Sequence, residues 1–308
     1  MTTAILISIL MTVVGAATPI LLAALGELVV EKSGVLNLGL EGMMLIGAVT
    51  AFAVTYSTGS APLGLVAAMV ASAAASMIFA FLTLTLTANQ VATGLALTIF
   101  GIGLSSLIGQ GFVGLTVPAL AHVFPAALAE DPIWRVLFGY SPLVYISLVM
   151  TALVAWFLTR SRAGLILRAI GESDEAAHSI GYPVIGVRYL AVAFGGAMAG
   201  LGGSYYSLVL TPMWADRLTA GRGWIALALV VFASWRPLRL LGGAYLFGAV
   251  MTLELHAKAA GVSVVAPEFL AMLPYLATIV VLTAISIAPA GGRLAAPACL
   301  GKPFRATG

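Results

Sequence analysis

Apolar residues run along this chain in long unbroken stretches, and the polar residues gather in the gaps between them. A helix needs about 20 mostly apolar residues to cross a bilayer. Stretches that qualify fall near 4–26, 38–56, 62–86, 92–112, 143–159, 189–210, 223–234, 240–257 and 269–289. Two of them are irregular. The stretch at 38–56 is entered through Ser33-Gly34-Val35-Leu36-Asn37-Leu38-Gly39-Leu40-Glu41-Gly42, which is too polar and too rich in glycine for a lipid-facing helix start. The stretch at 223–234 is about half a span. Broken or short helices of this kind line cavities in transport proteins. The expected fold is all-α, a polytopic transmembrane helical bundle of about 8–10 spans with broken helices, forming one transmembrane unit over 1–308.

The gaps carry the charge, and charge orients the bundle. Arg160, Arg162, Arg168 and Arg188 lie in the gap 160–188, Arg236 and Arg239 in the turn 235–239, and Arg293, Lys302 and Arg305 in the tail. These segments fall on one side of the nine-span reading, and cytoplasmic loops are the ones enriched in Lys and Arg. They are therefore expected in the cytoplasm, and counting back places the N-terminus outside. The opening segment lacks the basic start and cleavage pattern of a signal peptide and reads as a retained span. The segment 113–142 holds Pro118, Pro125, Pro132 and Pro142 and reads as an extracytoplasmic loop.

An internal match appears at a spacing of 201 residues. Ser33, Leu40, Gly42, Leu45, Gly47, Ala48 and Val49 fall on Ser234, Leu241, Gly243, Leu246, Gly248, Ala249 and Val250. This suggests two related halves, each with a break.

Composition removes the soluble classes. Hydrophobic residues make up 61% of the 308 and charged ones 8%, with mean hydropathy +1.11. Soluble proteins carry roughly a quarter charged residues, so lipid must replace water over much of this surface. A single cysteine, Cys299, excludes an internal disulfide framework, and His122, His178 and His256 are scattered, so no metal site is expected. No GxxxxGK[ST] phosphate loop occurs. Any ATP used is hydrolysed on another chain.

The segment from Arg168 to Pro183 reads as a short capped helix. Ser173 is its N-cap, Asp174 and Glu175 sit in the first turn, where the helix dipole favours acids, and Gly181 and Pro183 end it. Ala176 and Ala177 give it a smooth face that another protein could approach.

At this point three runs carry a resemblance. TPILLAALGELVVEKSGVLNLGLEGMMLIGA (Thr18 to Ala48), GLILRAIGESDEAAHSIGYPV (Gly164 to Val184) and TAGRGWIALALVVFASWRPL (Thr219 to Leu238) resemble, in order and spacing, the permease subunits of ABC importers of the branched-chain amino acid/ribose type. Within that group the chain looks most like the shorter permease of nucleoside or simple-sugar importers. Ala233-Ser234-Trp235 departs from the pattern, standing where a turn containing glycine is common. The resemblance implies a permease with no nucleotide site of its own, ATP and Mg being bound by ABC ATPase subunits. It implies a second permease, in a heterodimer rather than a homodimer, an extracytoplasmic substrate-binding protein and a bacterial-type plasma membrane. No nucleic-acid partner is expected. The resemblance also makes 164–184 the segment that couples to the ATPase, with Arg168, Gly171, Glu172, Ala176, Ala177 and Gly181 at the contact.

Polar residues at membrane depth are the candidates for a solute path. A carboxylate there costs about 2.5–3.5 kcal/mol on insertion scales, and Glu41 is the clearest case, with Asn37 one turn before it. The two either line the path and bond solute hydroxyls, or Glu41 caps a half-helix or pairs with a neighbouring subunit. Arg222, heading the half-span, is placed at the outer mouth. Glu254, His256 and Lys258 read as an interfacial cluster, and Asn89, Gln90, Thr83, Thr85 and Thr87 as polar faces between helices. The function expected is import of a nucleoside or related small polar solute, with a simple sugar or branched-chain amino acid as alternative solutes. A transporter driven by an ion gradient is a competing class, disfavoured by the few ionisable groups deep in the spans. A membrane enzyme ranks last, for want of any paired acid and base.

Overall fold

A computed structural model describes residues 2–125, 131–259 and 296–305, with isolated positions at 272, 276, 279, 280 and 283 between them. Long apolar runs become long helices because a buried backbone in lipid must satisfy its own hydrogen bonds. In chain order these are α1 (Thr2–Lys32), α2 (Leu40–Thr58), α3 (Ala61–Ala80), α4 (Gln90–Gly109), α5 (Pro132–Phe138), α6 (Pro142–Arg160), α7 (Arg162–Glu172), α8 (Asp174–Ser179), α9 (Val184–Tyr205), α10 (Arg222–Phe232) and α11 (Pro237–Ala259). Six segments are long and apolar enough to cross a membrane: Leu6–Lys32, Leu40–Thr58, Ala61–Thr85, Gln90–Phe112, Pro142–Arg160 and Val184–Leu210. Among the described residues the bundle is all-helical, with two isolated β-bridges, Val113 with Trp214 and Thr116 with Met213. The stretch expected as a span at 269–289 lies outside the described residues, apart from the isolated positions.

Three boundaries differ from the sequence reading. The first helix continues past residue 26 to Lys32, because Glu27 and Glu31 are buried inside the bundle and do not end it. The short helix expected after Ser173 is present as α8, and a further helix, α7, precedes it. Ser173 breaks them apart, in extended conformation, and its hydroxyl accepts from Ala176 N to start α8. Arg168, Gly171 and Glu172 thus sit on α7, Ala176 and Ala177 on α8, and Gly181 (φ +90°) follows α8. The stretch expected as the loop 113–142 contains α5, and Pro142 is the first residue of α6.

Helices α1 and α9 cross at the centre, and α2 packs on α9, α3 and α4. Small residues make these crossings close. A Cβ on Gly42 would come within 2.6 Å of the Leu97 carbonyl on α4, so only glycine lets the two backbones meet. The outward faces of α3 and α4 carry Val66, Val70, Leu95 and Ile99, the last 72% exposed, while Ser72, Ser76, Thr98 and Ser105 face inward. This pattern suits a lipid solvent. The inward hydroxyls bond carbonyls of their own or neighbouring helices: Ser72 to Met43, Ser76 to Val192, Thr98 to Leu38.

One end of the bundle gathers the basic segments. Cys299 N donates to Gly171 O, Gly301 N donates to Gly34 O, and Gln90, at the head of α4, reaches both Leu36 N and Lys302 O. The end of α1, the turn 33–39, the start of α4, α7, α8 and the segment 296–305 therefore lie together, as the charge pattern requires. The opposite end carries the described residues 113–125 and 131–141, pinned by Val117 N to Pro212 O and Leu120 N to Leu208 O.

The internal match has a local counterpart. Both α1 and α10 end in the same turn, closed by Val35 N to Val30 O in one and Trp235 N to Val230 O in the other, with Gly34 and Ser234 left-handed. The turns are related at a spacing one residue shorter than the sequence match, and the following loops, 33–39 and 233–236, differ in length. The likeness is that of the helix-ending turn. Ser234 and Trp235 hold φ of +50° and +54° without glycine, at a cost of about 1–3 kcal/mol each. The Trp235 indole offsets it by donating to the buried Glu31 carboxylate.

Candidate functional site

Helix α10 is a half-span because its first turn begins inside the bundle. The chain leaves α9 at the end opposite the basic segments, turns back through 211–221, and starts α10 beside the start of α2. A helix that begins in a dry interior leaves backbone N–H groups without partners. Glu41 supplies them. Its Oε2 accepts from Gly223 N at 2.6 Å and its Oε1 from Gly221 N at 2.8 Å, and the Thr219 hydroxyl donates to Oε1 as well. A carboxylate at a helix N-terminus also opposes the positive end of the dipole. The descending segment is bent to reach it, with Arg217, Ala220 and Gly221 all left-handed. A Cβ on Gly223 would stand 2.6 Å from Glu41 Cα, so glycine is required at that contact.

Glu41 is 5% exposed, and its oxygens face the backbone of α10. Asn37 is fully buried and organises the break in a different way. Its Oδ1 accepts from Gly39 N at 2.9 Å, forming the turn that starts α2, and its backbone N–H donates to Glu27 Oε1 at 3.2 Å. Neither residue lines the cavity described next, so the structure does not bring Asn37, Glu41 and Arg222 together around one space.

That cavity, of about 720 Å³, opens at the end opposite the basic segments. Its walls come from the halves of α1 and α11 at that end, the end of α9, and the loop before α6. Arg222 is in it. Gly221 and Gly223, held by Glu41, flank this arginine, whose guanidinium lies 5.0 Å from the centre of the Tyr206 ring. Glu41 thus fixes from behind the turn that presents Arg222. Tyr140, Tyr205 and Tyr206 add three aromatic faces. The buried hydroxyls of Tyr206 and Thr252, both lining residues, have no hydrogen-bond partner among the described residues. A buried hydroxyl without a partner costs about 1–3 kcal/mol. Such a site, apolar and aromatic with a few polar groups, suits a small hydroxylated molecule.

The tyrosines and Thr252 were not singled out by sequence. Tyr205-Tyr206 at the end of a long apolar run was the only signal available. His256 Nδ1 lies 2.8 Å from Thr252 O, one helical turn away, and is exposed. The side chains of Glu254 and Lys258 lie outside the described residues. Asn89 caps α4, Thr83 bonds its own helix, and Thr85 bonds the Tyr189 hydroxyl. Among the described residues no group of His, Cys, Asp and Glu is placed to hold a metal ion.

Comparison with known proteins agrees with this architecture. Residues 9–283 match the family described as "Branched-chain amino acid transport system / permease component". The chain is 41% identical to the protein named "Putative glucose ABC transporter permease protein TsgC13" of Haloferax volcanii, over 93% of this chain and 94% of that one. It is 33% identical to the guanosine ABC transporter permease protein NupQ of Bacillus subtilis, over 94% and 93%. It is 28% identical to the nucleoside ABC transporter permease protein NupC of Lactococcus lactis, over 86% and 88%. No solved structure matches the chain significantly. The match spans almost every helix described above, and the chain belongs to this family of ABC transport permeases, as a transport subunit and not an enzyme.

Proposed function

We propose that this permease imports a nucleoside, and that the cavity above Arg222 receives it from outside. The observation that carries this reading is the cavity itself: three tyrosine rings, the guanidinium groups of Arg135 and Arg222, and the hydroxyl-bearing Ser141 and Thr252 around about 720 Å³. Aromatic faces suit a planar base, and hydroxyls suit a ribose. Relatives named for guanosine and for nucleosides support the same class. A hexose is the second reading, favoured by the relative named for glucose at 41% identity.

The basic end faces the cytoplasm of a plasma membrane in this reading, by the enrichment of Lys and Arg in cytoplasmic loops. Helices α7 and α8 dock on ABC ATPase subunits there, through Arg168, Gly171, Glu172, Ala176, Ala177 and Gly181, and those subunits bind ATP and Mg. A substrate-binding protein delivers the solute at the opposite end. A second, different permease completes the complex. Bacillus subtilis has another guanosine permease protein, NupP, that matches this chain less fully, at 26% identity over 62% of it, as expected of paired but unequal subunits.

The test is uptake of labelled guanosine, adenosine and glucose into vesicles holding this chain with its ATPase, second permease and binding protein. ATP-dependent nucleoside uptake supports the proposal. ATP-dependent uptake of glucose alone keeps the importer and overturns the solute. Uptake indifferent to ATP but driven by a proton or sodium gradient overturns the importer.

A further inference from the structure

The basic end contains a buried arginine that holds four separate segments. Arg188, on the first turns of α9, is 1% exposed. Its Nε donates to the carbonyl of Ser33 at 3.0 Å, in the turn that follows α1. Its Nη2 donates to Asp174 Oδ2 at 3.0 Å, at the start of α8. Its guanidinium lies 5.8 Å from the centre of the Phe304 ring. Phe304 is buried among Ile170 of α7, Ala177 of α8 and Val184 of α9, and its ring meets His178 edge-on. The segment around it is tied down by backbone as well, through Cys299 N to Gly171 O and Gly301 N to Gly34 O. Gly34 must be glycine here, since φ is +90° and a Cβ would stand 2.8 Å from Arg188 Nη2.

A buried charge makes this joint stiff. Moving α8 away from Arg188 leaves a guanidinium without its carboxylate, and breaking a buried pair by losing one partner is strongly unfavourable. Moving the turn 33–39 away leaves the Ser33 carbonyl unpaired. Helix α8, the end of α1 and the root of α9 therefore shift together or not at all. The turn 33–39 leads within a few residues to Asn37 and then to Glu41, which holds the head of α10 beneath the outer cavity.

We propose that Arg188 and the docked segment 296–305, through Phe304, form the linkage that carries movement of α7 and α8 to the break between α1 and α2, and so to the Glu41 joint at the cavity floor. This rests on the reading of α7 and α8 as the ATPase contact. Arg188 and Phe304 are positioning residues: they act on the solute through other groups.

Two measurements test it. The first uses the permease alone in detergent. Cys299 is buried in the docked segment, and burial pushes its thiol pKa up, so it reacts slowly with a maleimide near neutral pH. F304A and R188Q are expected to label at least about tenfold faster, the factor given by a loss of about 1.4 kcal/mol of docking. F304L, which keeps the apolar bulk, is expected to label like the parent. Unchanged labelling in F304A and R188Q overturns the linkage whatever the function proves to be. The second uses the assembled importer and reads ATP hydrolysis and uptake in one sample. F304A is expected to keep hydrolysis near the parent level while uptake per ATP falls about fivefold or more, with F304L restoring it. Uptake per ATP equal to the parent, or hydrolysis and uptake falling in parallel with the amount of folded complex, overturns the proposal. ATP-independent uptake by the parent sinks the importer reading instead, and leaves the labelling result to judge the joint by itself.

Discussion

The carboxylate of Glu41 and the backbone amide of Gly223, 182 residues apart in sequence, meet at 2.6 Å. Through this contact the break at the start of α2 becomes the cap of α10. It explains how a carboxylate is tolerated at membrane depth: two amides and a hydroxyl stand where water would. Truncation should be costly, because E41A strands all three donors, each worth about 1–3 kcal/mol when buried and unpaired. The expected loss is about 3 kcal/mol or more of stability, read as a lower melting temperature in detergent. E41Q keeps acceptor capacity on one oxygen only and should fall between E41A and the parent. An E41A protein that melts like the parent would remove the capping role.

The glycine on the other side of the contact makes an independent prediction. G223A puts a Cβ 2.6 Å from Glu41 Cα, a backbone atom that cannot swing aside. Overpacking of this kind costs about 1–3 kcal/mol. Gly242, in α11, has open space around the same position, and G242A should be neutral or stabilising by about 0.5–1 kcal/mol through helix propensity. Melting curves of the two variants side by side separate the contact from any general effect of alanine.

Trp235 stands in a left-handed turn where glycine would be unstrained, and its indole donates to Glu31. The two effects can be pulled apart. W235F keeps the strain and removes the donor, and is expected to lose about 1–3 kcal/mol, the cost of leaving a buried acceptor unpaired. W235G relieves the turn but opens a cavity, so it should lose more, about 3–5 kcal/mol. If W235F melts like the parent, the indole is not what holds the turn.

Much of this bundle was legible because lipid demands a simple pattern. Apolar length gave eight of the helices, and the gathering of arginines at 160–188 and 235–239 gave their common end. The extra helix α7 was missed because its apolar positions, Leu165, Ile166, Leu167 and Ile170, are too few to register as a span, and Ile170 packs on a tail far away in sequence. Capping at Ser173 was readable, being local. The partners of Glu41 were not. Short polar residues at 219–223 look like any turn until the chain brings them to α2. The sequence reading weighed a path-lining role for Glu41 against capping a half-helix, and the distances show its oxygens engaged with α10. Tyr205 and Tyr206 were hidden by their setting, since aromatic residues near the end of a span usually mark only the membrane interface.

The unpartnered hydroxyls give the most discriminating test of the cavity. Tyr206 buries its oxygen without a hydrogen-bond partner among the described residues, and Thr252 does the same across the cavity wall. A group kept only for structure would be better off as phenylalanine, because removing an unpaired buried oxygen relieves a desolvation cost. Y206F is therefore expected to melt at or above the parent temperature. If the solute bonds this hydroxyl, the same variant should import more weakly, by about 3–10-fold in apparent affinity, the worth of one net hydrogen bond. T252V makes the parallel case from α11 and should behave alike. Opposite movement of stability and uptake marks a group held for a ligand. A Y206F permease that is more stable and transports with unchanged affinity would show that the solute passes elsewhere.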